Sequence, residues 1–172
     1  MTRYYCVFFK NKNPYYIFAR IIEFVDGTNF SHTEVVRVVD DNWRDAYSYG
    51  SVFRFSRRIK LSELKKHYEI KDAVELAVCV ERPDAILESM MGKMYSFFKI
   101  FLTGLNLITK SSIFWLPYLK VNLSKSLICT ELAGMFMQEA CQYKFSESPE
   151  LLSVEQTRQI ALKNLFKLQL GK

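Results

Sequence analysis

The stretch that decides the fold is Ser126-Leu127-Ile128-Cys129-Thr130-Glu131-Leu132-Ala133-Gly134-Met135-Phe136. Leu132, Met135 and Phe136 recur at helical spacing, which predicts a buried helix opening at Leu127 or Cys129 and running to Tyr143. Lys125 and Ser126 precede it, so Cys129 falls in the first turn. There, backbone amides lack intrahelical acceptors and favour a thiolate. Cys141 lies late in the same helix, where the dipole opposes a thiolate, and it reads as structural. Taken alone, Cys129 could equally be a small core residue.

A thiolate needs a base that later returns the proton, and histidine is the usual one. The chain has two histidines. His67 stands in the charged run Leu64-Lys65-Lys66-His67 and reads as solvated. His32 opens Phe30-Ser31-His32-Thr33-Glu34-Val35-Val36, a strand expected to run to Val39. Glu34 lies two residues on, so both side chains share one strand face. A carboxylate buried beside an imidazole is costly unless the two are paired. Glu34 is therefore a candidate for orienting the ring. His32 and Glu34 find no further ligands at metal spacing, and neither a metal nor a cofactor is expected.

Working outward, Tyr4 to Phe9 reads as a first strand. A short helix fits the residues from Tyr15 to Phe24, with a stop at Gly27. Asp40-Asp41-Asn42 is a turn, Trp43 to Tyr49 a returning strand, and Gly50 a bend. Val52 to Phe55 extends the ladder. Leu61 to Tyr68 is a helix with Ser62 as its cap. Ala73 to Glu81 alternates like a strand. A helix is expected from Pro83 to about Phe101, and a last one is capped by Ser153 with Gln156 at capping-box spacing.

Composition bounds the rest. One domain, 1–172, is expected from the length, with no linker or internal repeat. Hydrophobic residues make up 49% of the chain and aromatics 15%, enough for a sizeable core and against disorder. The cysteines Cys6, Cys79, Cys129 and Cys141 form no CxxC pair, which points away from zinc sites and disulfide scaffolds. Cys6 and Cys79 sit in apolar runs and read as buried. The stretch from Ile86 to Ile108 carries Glu88, Lys93 and Lys99, a poor membrane span. The N-terminus has no signal-peptide layout, so a cytoplasmic location is expected, or a virion one if the chain is of phage origin. The net charge is +6. Arg54, Arg57 and Arg58 form the densest basic cluster, a solvated strand edge or a contact for an anionic partner. No nucleic-acid motif accompanies it.

The order of these pieces resembles the circularly permuted papain-like enzymes of the NlpC superfamily, which include YiiX-like and lecithin retinol acyltransferase-like proteins. There too the histidine strand comes first and the cysteine helix late. A YiiX-like branch common in phage and bacterial genomes is similar also at Ser48-Tyr49-Gly50-Ser51-Val52-Phe53-Arg54. Further similarities are the helix segment Gly92-Lys93-Met94-Tyr95-Ser96-Phe97 and the closing Pro149-Glu150-Leu151-Leu152. The resemblance spans about Ser31 to Leu152.

It implies an α+β fold, an antiparallel sheet packed against helices with the nucleophile at a helix N-terminus. It further implies a thiol hydrolase of peptidase or amidase type, with Cys129 as nucleophile, His32 as base and a peptide or acyl substrate. Relatives usually carry the third polar residue on the following strand. Here Glu34 competes for that role with Asp45 and Ser48. Two alternatives accompany this reading. One is acyl transfer or thioester cleavage on lipid-like groups, with Met90 to Leu107 lining a groove. The other is a non-catalytic phage structural or interaction protein that keeps the fold.

Overall fold

The computed structural model describes residues 1–52, 55–95, 126–145, 149 and 152–170. It is an α+β protein built on a sheet whose first five strands are antiparallel. These are β1 (Thr2–Asn11), β2 (His32–Val39), β3 (Asn42–Val52), β4 (Phe55–Lys60) and β5 (Tyr68–Glu75). Two short strands, β6 (Met94–Tyr95) and β7 (Ser126–Leu127), pair in parallel beyond β4. The spatial order is β5-β1-β2-β3-β4-β6-β7. Five helices are described: α1 (Ile17–Asp26), α2 (Leu61–His67), α3 (Pro83–Ser89), α4 (Cys129–Ala140) and α5 (Val154–Leu170).

Period-two alternation gives the sheet two buried faces. Tyr4, Cys6 and Phe8 of β1 join Leu87 of α3, Leu132 and Phe136 of α4, and Ala161 of α5. Val7 and Phe9 turn the other way, with Val36 and Val38 of β2, onto Leu61 and Leu64 of α2. Fully burying a side chain such as Phe8 or Phe136 contributes about 1.5–3 kcal/mol. The site therefore rests on a rigid support.

Several local expectations hold. β2 starts at His32 and ends at Val39. Asp40 and Asp41 both take positive φ, which makes the two-residue turn that matches strand twist. Gly27 ends α1 in the left-handed conformation. Ser153 Oγ accepts from the Gln156 amide at 3.2 Å, and Gln156 Oε1 accepts from the Ser153 amide at 2.8 Å, a reciprocal cap.

Other expectations are corrected. The strand read at Ala73 to Glu81 lies earlier, at Tyr68–Glu75. Leu76 still donates its amide to the Tyr4 carbonyl of β1 at 2.8 Å, and residues 77–80 leave the ladder. The Ala77 amide donates to Asn164 Oδ1 at 2.9 Å and the Cys79 amide to the Ala140 carbonyl at 2.8 Å, so partners outside the sheet satisfy this backbone. Cys79 is exposed, because the strand that would have buried it ends four residues before it. The cap of α2 is Lys60, not Ser62, and α3 stops at Ser89. Gly92 has φ 77°, which breaks the expected helix, and Met94–Tyr95 is strand. Gly50 does not bend the chain: it lies within β3, paired with Arg57 of β4. α4 ends at Ala140, before the expected Tyr143. Among the described residues no helix is long and apolar enough to cross a membrane.

Candidate active site

His32 is the first residue of β2 and Cys129 the first of α4, and α4 packs against β2 and β3. The pair forms where the two elements begin. Both residues are buried. The His32 ring lies beside Phe9, at 6.1 Å between centroids, and beside Tyr68, at 5.3 Å. These rings limit its rotation.

Glu34 takes one ring nitrogen. His32 Nε2 and Glu34 Oε1 are 2.8 Å apart. The Cys129 thiol lies close enough to the ring to act on its charge. Burial pushes the ring's pKa down. The Cys129 sulfur and the Glu34 carboxylate outweigh burial and hold the imidazolium well above its ordinary range.

Glu34 is itself only 1% exposed, and a carboxylate there requires partners on both oxygens. Oε1 meets His32, and Oε2 accepts from the Ser48 hydroxyl on β3. Gly50 supplies the room. A Cβ at Gly50 would stand 2.2 Å from Glu34 Cδ, so the carboxylate occupies the space where a side chain would be. Period-two geometry thus places His32, Glu34, Ser48 and Gly50 on one face across two strands.

Of the three residues considered behind the histidine, Glu34 is the one in contact with it. Ser48 holds Glu34 rather than His32. Asp45 is exposed in the β2–β3 hairpin and accepts from Asn42 Nδ2 at 2.8 Å. His67 is exposed at the end of α2. Cys141, at the other end of α4, is buried, and burial pushes its thiol up to about 12. Cys6 is likewise pushed up to about 12, with its sulfur 3.4 Å from Thr33 Oγ1. Arg58 donates to Glu88 Oε1 at 2.9 Å and lies over the Tyr47 ring. Arg57 is exposed on β4, and Arg54 lies outside the described residues.

The start of α4 is anchored by its own third residue: the Ile128 amide donates to Glu131 Oε2 at 3.3 Å. The first accepted helical bond runs from the Leu132 amide to the Ile128 carbonyl. Gly134 lets Pro149 and Leu152 approach the helix, since a Cβ there would lie 2.9 Å from Pro149 Cβ and 3.3 Å from Leu152 Cδ1. Sequence reasoning missed two supports, Gly50 as the seat of Glu34 and Tyr68 as a wall of His32. Only the glycine inside a strand pattern was a signal, since it marks close approach as often as a bend. Among the described residues no cluster of metal-binding side chains occurs.

The arrangement can hold a sulfur beside a protonated imidazole and move a proton between that ring and a bound group. No protein-family model matches the chain, and no curated protein matches it in sequence.

Proposed function

We propose that the protein is a thiol hydrolase of peptidase or amidase type, with a permuted papain-like arrangement of the NlpC kind. The observation that carries this reading is the buried His32 ring, bonded to Glu34 at 2.8 Å and near enough to Cys129 for the thiol to act on its charge.

The Cys129 thiolate attacks the substrate carbonyl carbon and forms an S–C bond. Amides in the first turn of α4 lack intrahelical acceptors and stabilise the oxyanion. His32 delivers its proton to the leaving group as the C–N or C–O bond breaks. Water then attacks the thioester, His32 takes the water proton, and the S–C bond breaks to free the acid. Glu34 keeps the ring in position and stabilises its charged form, and Ser48 and Gly50 keep Glu34 in place.

The test is alkylation by iodoacetamide at mildly acidic pH, read by mass spectrometry of each cysteine peptide. Cys129 is expected to react much faster than Cys141. Equal rates would remove the chemical basis of the proposal.

The exposed apolar side of α1 favours a second reading, acyl transfer or thioester cleavage on lipid-like groups. Ile17, Phe18, Ile21 and Phe24 are exposed there, and Tyr16, which caps the helix, senses the His32 charge. Faster hydrolysis of long-chain than of short-chain acyl thioesters would select it. The remaining segment proposed to line a groove falls mainly on residues 96–125, outside those described. The Glu34 hydrogen bond to His32 supports the catalytic reading over a non-catalytic protein that keeps the fold.

A further inference from the structure

A cleft of about 510 Å³ opens next to the His32 ring. Its lining comes from three places: Asn11 to Asn13 and Tyr16 after β1, Arg57 on β4, and Lys66 to Tyr68 where α2 meets β5. Among the described residues it contains three permanent cations, Lys12, Arg57 and Lys66, the titratable His67, and no acid. Tyr68 is the shared wall, since its ring packs on His32 from the other side. Tyr16, also in the lining, feels the charges of both Tyr68 and His32.

Part of this charge has an ordinary structural role. Lys66 pairs with Glu63 at 2.7 Å, and Lys12 donates to the Lys65 carbonyl at the end of α2. Arg57 is different, with no acidic partner among the described residues. It pairs across the strands with Gly50, the residue whose empty side-chain space holds Glu34. Cross-strand partners share a face, so Arg57 projects on the same side of the sheet as Glu34 and His32. An unpaired guanidinium with two ammonium groups around a cleft is a fork-shaped donor site for a carboxylate or a phosphate.

We propose that this cleft binds an anionic group of the substrate, a carboxylate or phosphate, and thereby makes the enzyme selective for acidic acyl compounds. The inference rests on Cys129 and His32 carrying out the acyl transfer proposed above.

The experiment titrates the full-length chain with inorganic phosphate and, separately, with sodium acetate, followed by amide NMR. Saturable shifts are expected at Lys12, Arg57 and Tyr68, with affinity weakened about tenfold or more in the Arg57→Gln, Lys66→Gln double variant. Tighter phosphate binding assigns a phosphorylated substrate, and tighter acetate binding a carboxylate. Failure of both anions to saturate, or equal binding by the double variant, overturns the proposal. Selectivity is read with mono-p-nitrophenyl esters of succinic, glutaric and adipic acids against their methyl-capped counterparts. At least one acid ester is expected to be hydrolysed faster than its neutral twin, and the double variant to lose that advantage. Iodoacetamide labelling of Cys129 in the wild-type chain reports on the acyl-transfer reading separately. A cleft that binds anions beside an unreactive Cys129 would sink that reading, and a reactive Cys129 beside a cleft that ignores anions would sink this one.

Discussion

Cys129 and Cys141 stand at opposite ends of one helix, each 5% exposed. Burial alone does not separate them. Among the described residues no cation acts on Cys141: burial raises its thiol to about 12, and the neighbouring thiols Cys79 and Cys6 add to the rise. Cys129 sits where α4 begins and faces an imidazolium that a buried carboxylate supports. The lesson is that a thiol's chemistry here is set by which end of the helix it occupies and by one strand residue opposite it. Two positions in the same helix, with the same exposure, therefore divide into a candidate nucleophile and a core residue.

The largest effect that can break this contrast is Cys129→Ala. It is expected to abolish fast alkylation and to reduce acyl-ester hydrolysis by roughly a thousandfold or more, while Cys141→Ala leaves both in place. Peptide mapping after labelling distinguishes the two thiols directly.

Glu34→Gln makes Cys129 more like Cys141 without touching the sulfur. The amide fits the same space but withdraws the charge that supports the imidazolium. Hydrolysis is expected to slow by about a hundredfold, and the alkylation profile to lose its reactive window on the alkaline side. An unchanged profile would show that Glu34 only packs against the ring.

Gly50→Ala reaches the pair from one strand further away. The new methyl group collides with Glu34, and overpacking of this kind costs about 1–3 kcal/mol. A lowered urea midpoint together with slower labelling is expected. The Glu34→Ala, Gly50→Ala double variant should regain part of the packing and none of the labelling.

The smallest effect is the dependence of stability on pH. His32 has a raised folded-state pKa, so its stabilising contribution is fully present below the unfolded histidine value, near 6.5. It is lost as pH rises through the folded value. Urea midpoints measured upward from pH 6 should therefore fall more for the wild-type chain than for His32→Gln. Parallel curves would mean that the ring is not held protonated.

Much of this contrast was legible from sequence. The strand bearing His32 and Glu34 follows from β-branched residues after a turn, and the start of α4 from apolar spacing around a cysteine. Both signals are local: the strand is read from its first residue, and the helix start is narrowed to Leu127 or Cys129, of which Cys129 is the first helical residue. The choice between Glu34, Asp45 and Ser48 was not legible, because it depends on the register of β2 against β3. That register puts Ser48 behind the carboxylate and leaves Asp45 on the exposed start of β3. Cys79 was misread for a different reason. The alternation from Leu76 to Val80 reflects burial beneath helices, and amide hydrogen bonds from Ala77 to Asn164 and from Cys79 to Ala140 replace the ladder that alternation usually signals. The basic cleft lay hidden likewise, since Lys12, Arg57 and Lys66 are far apart in the chain and meet only when β1, β4 and α2 assemble.

Gly50 has a consequence for how this protein can drift in sequence. A mid-strand glycine is ordinarily a weak choice, costing about 0.5–1 kcal/mol against alanine. Here it is tied to position 34. Descendants that retain a glutamate at 34 should be confined to glycine at 50, whereas those that shorten or neutralise 34 are free to fill it. The two positions should therefore change together, and a chain with a bulky residue at 50 should mark a lineage that has given up the buried carboxylate.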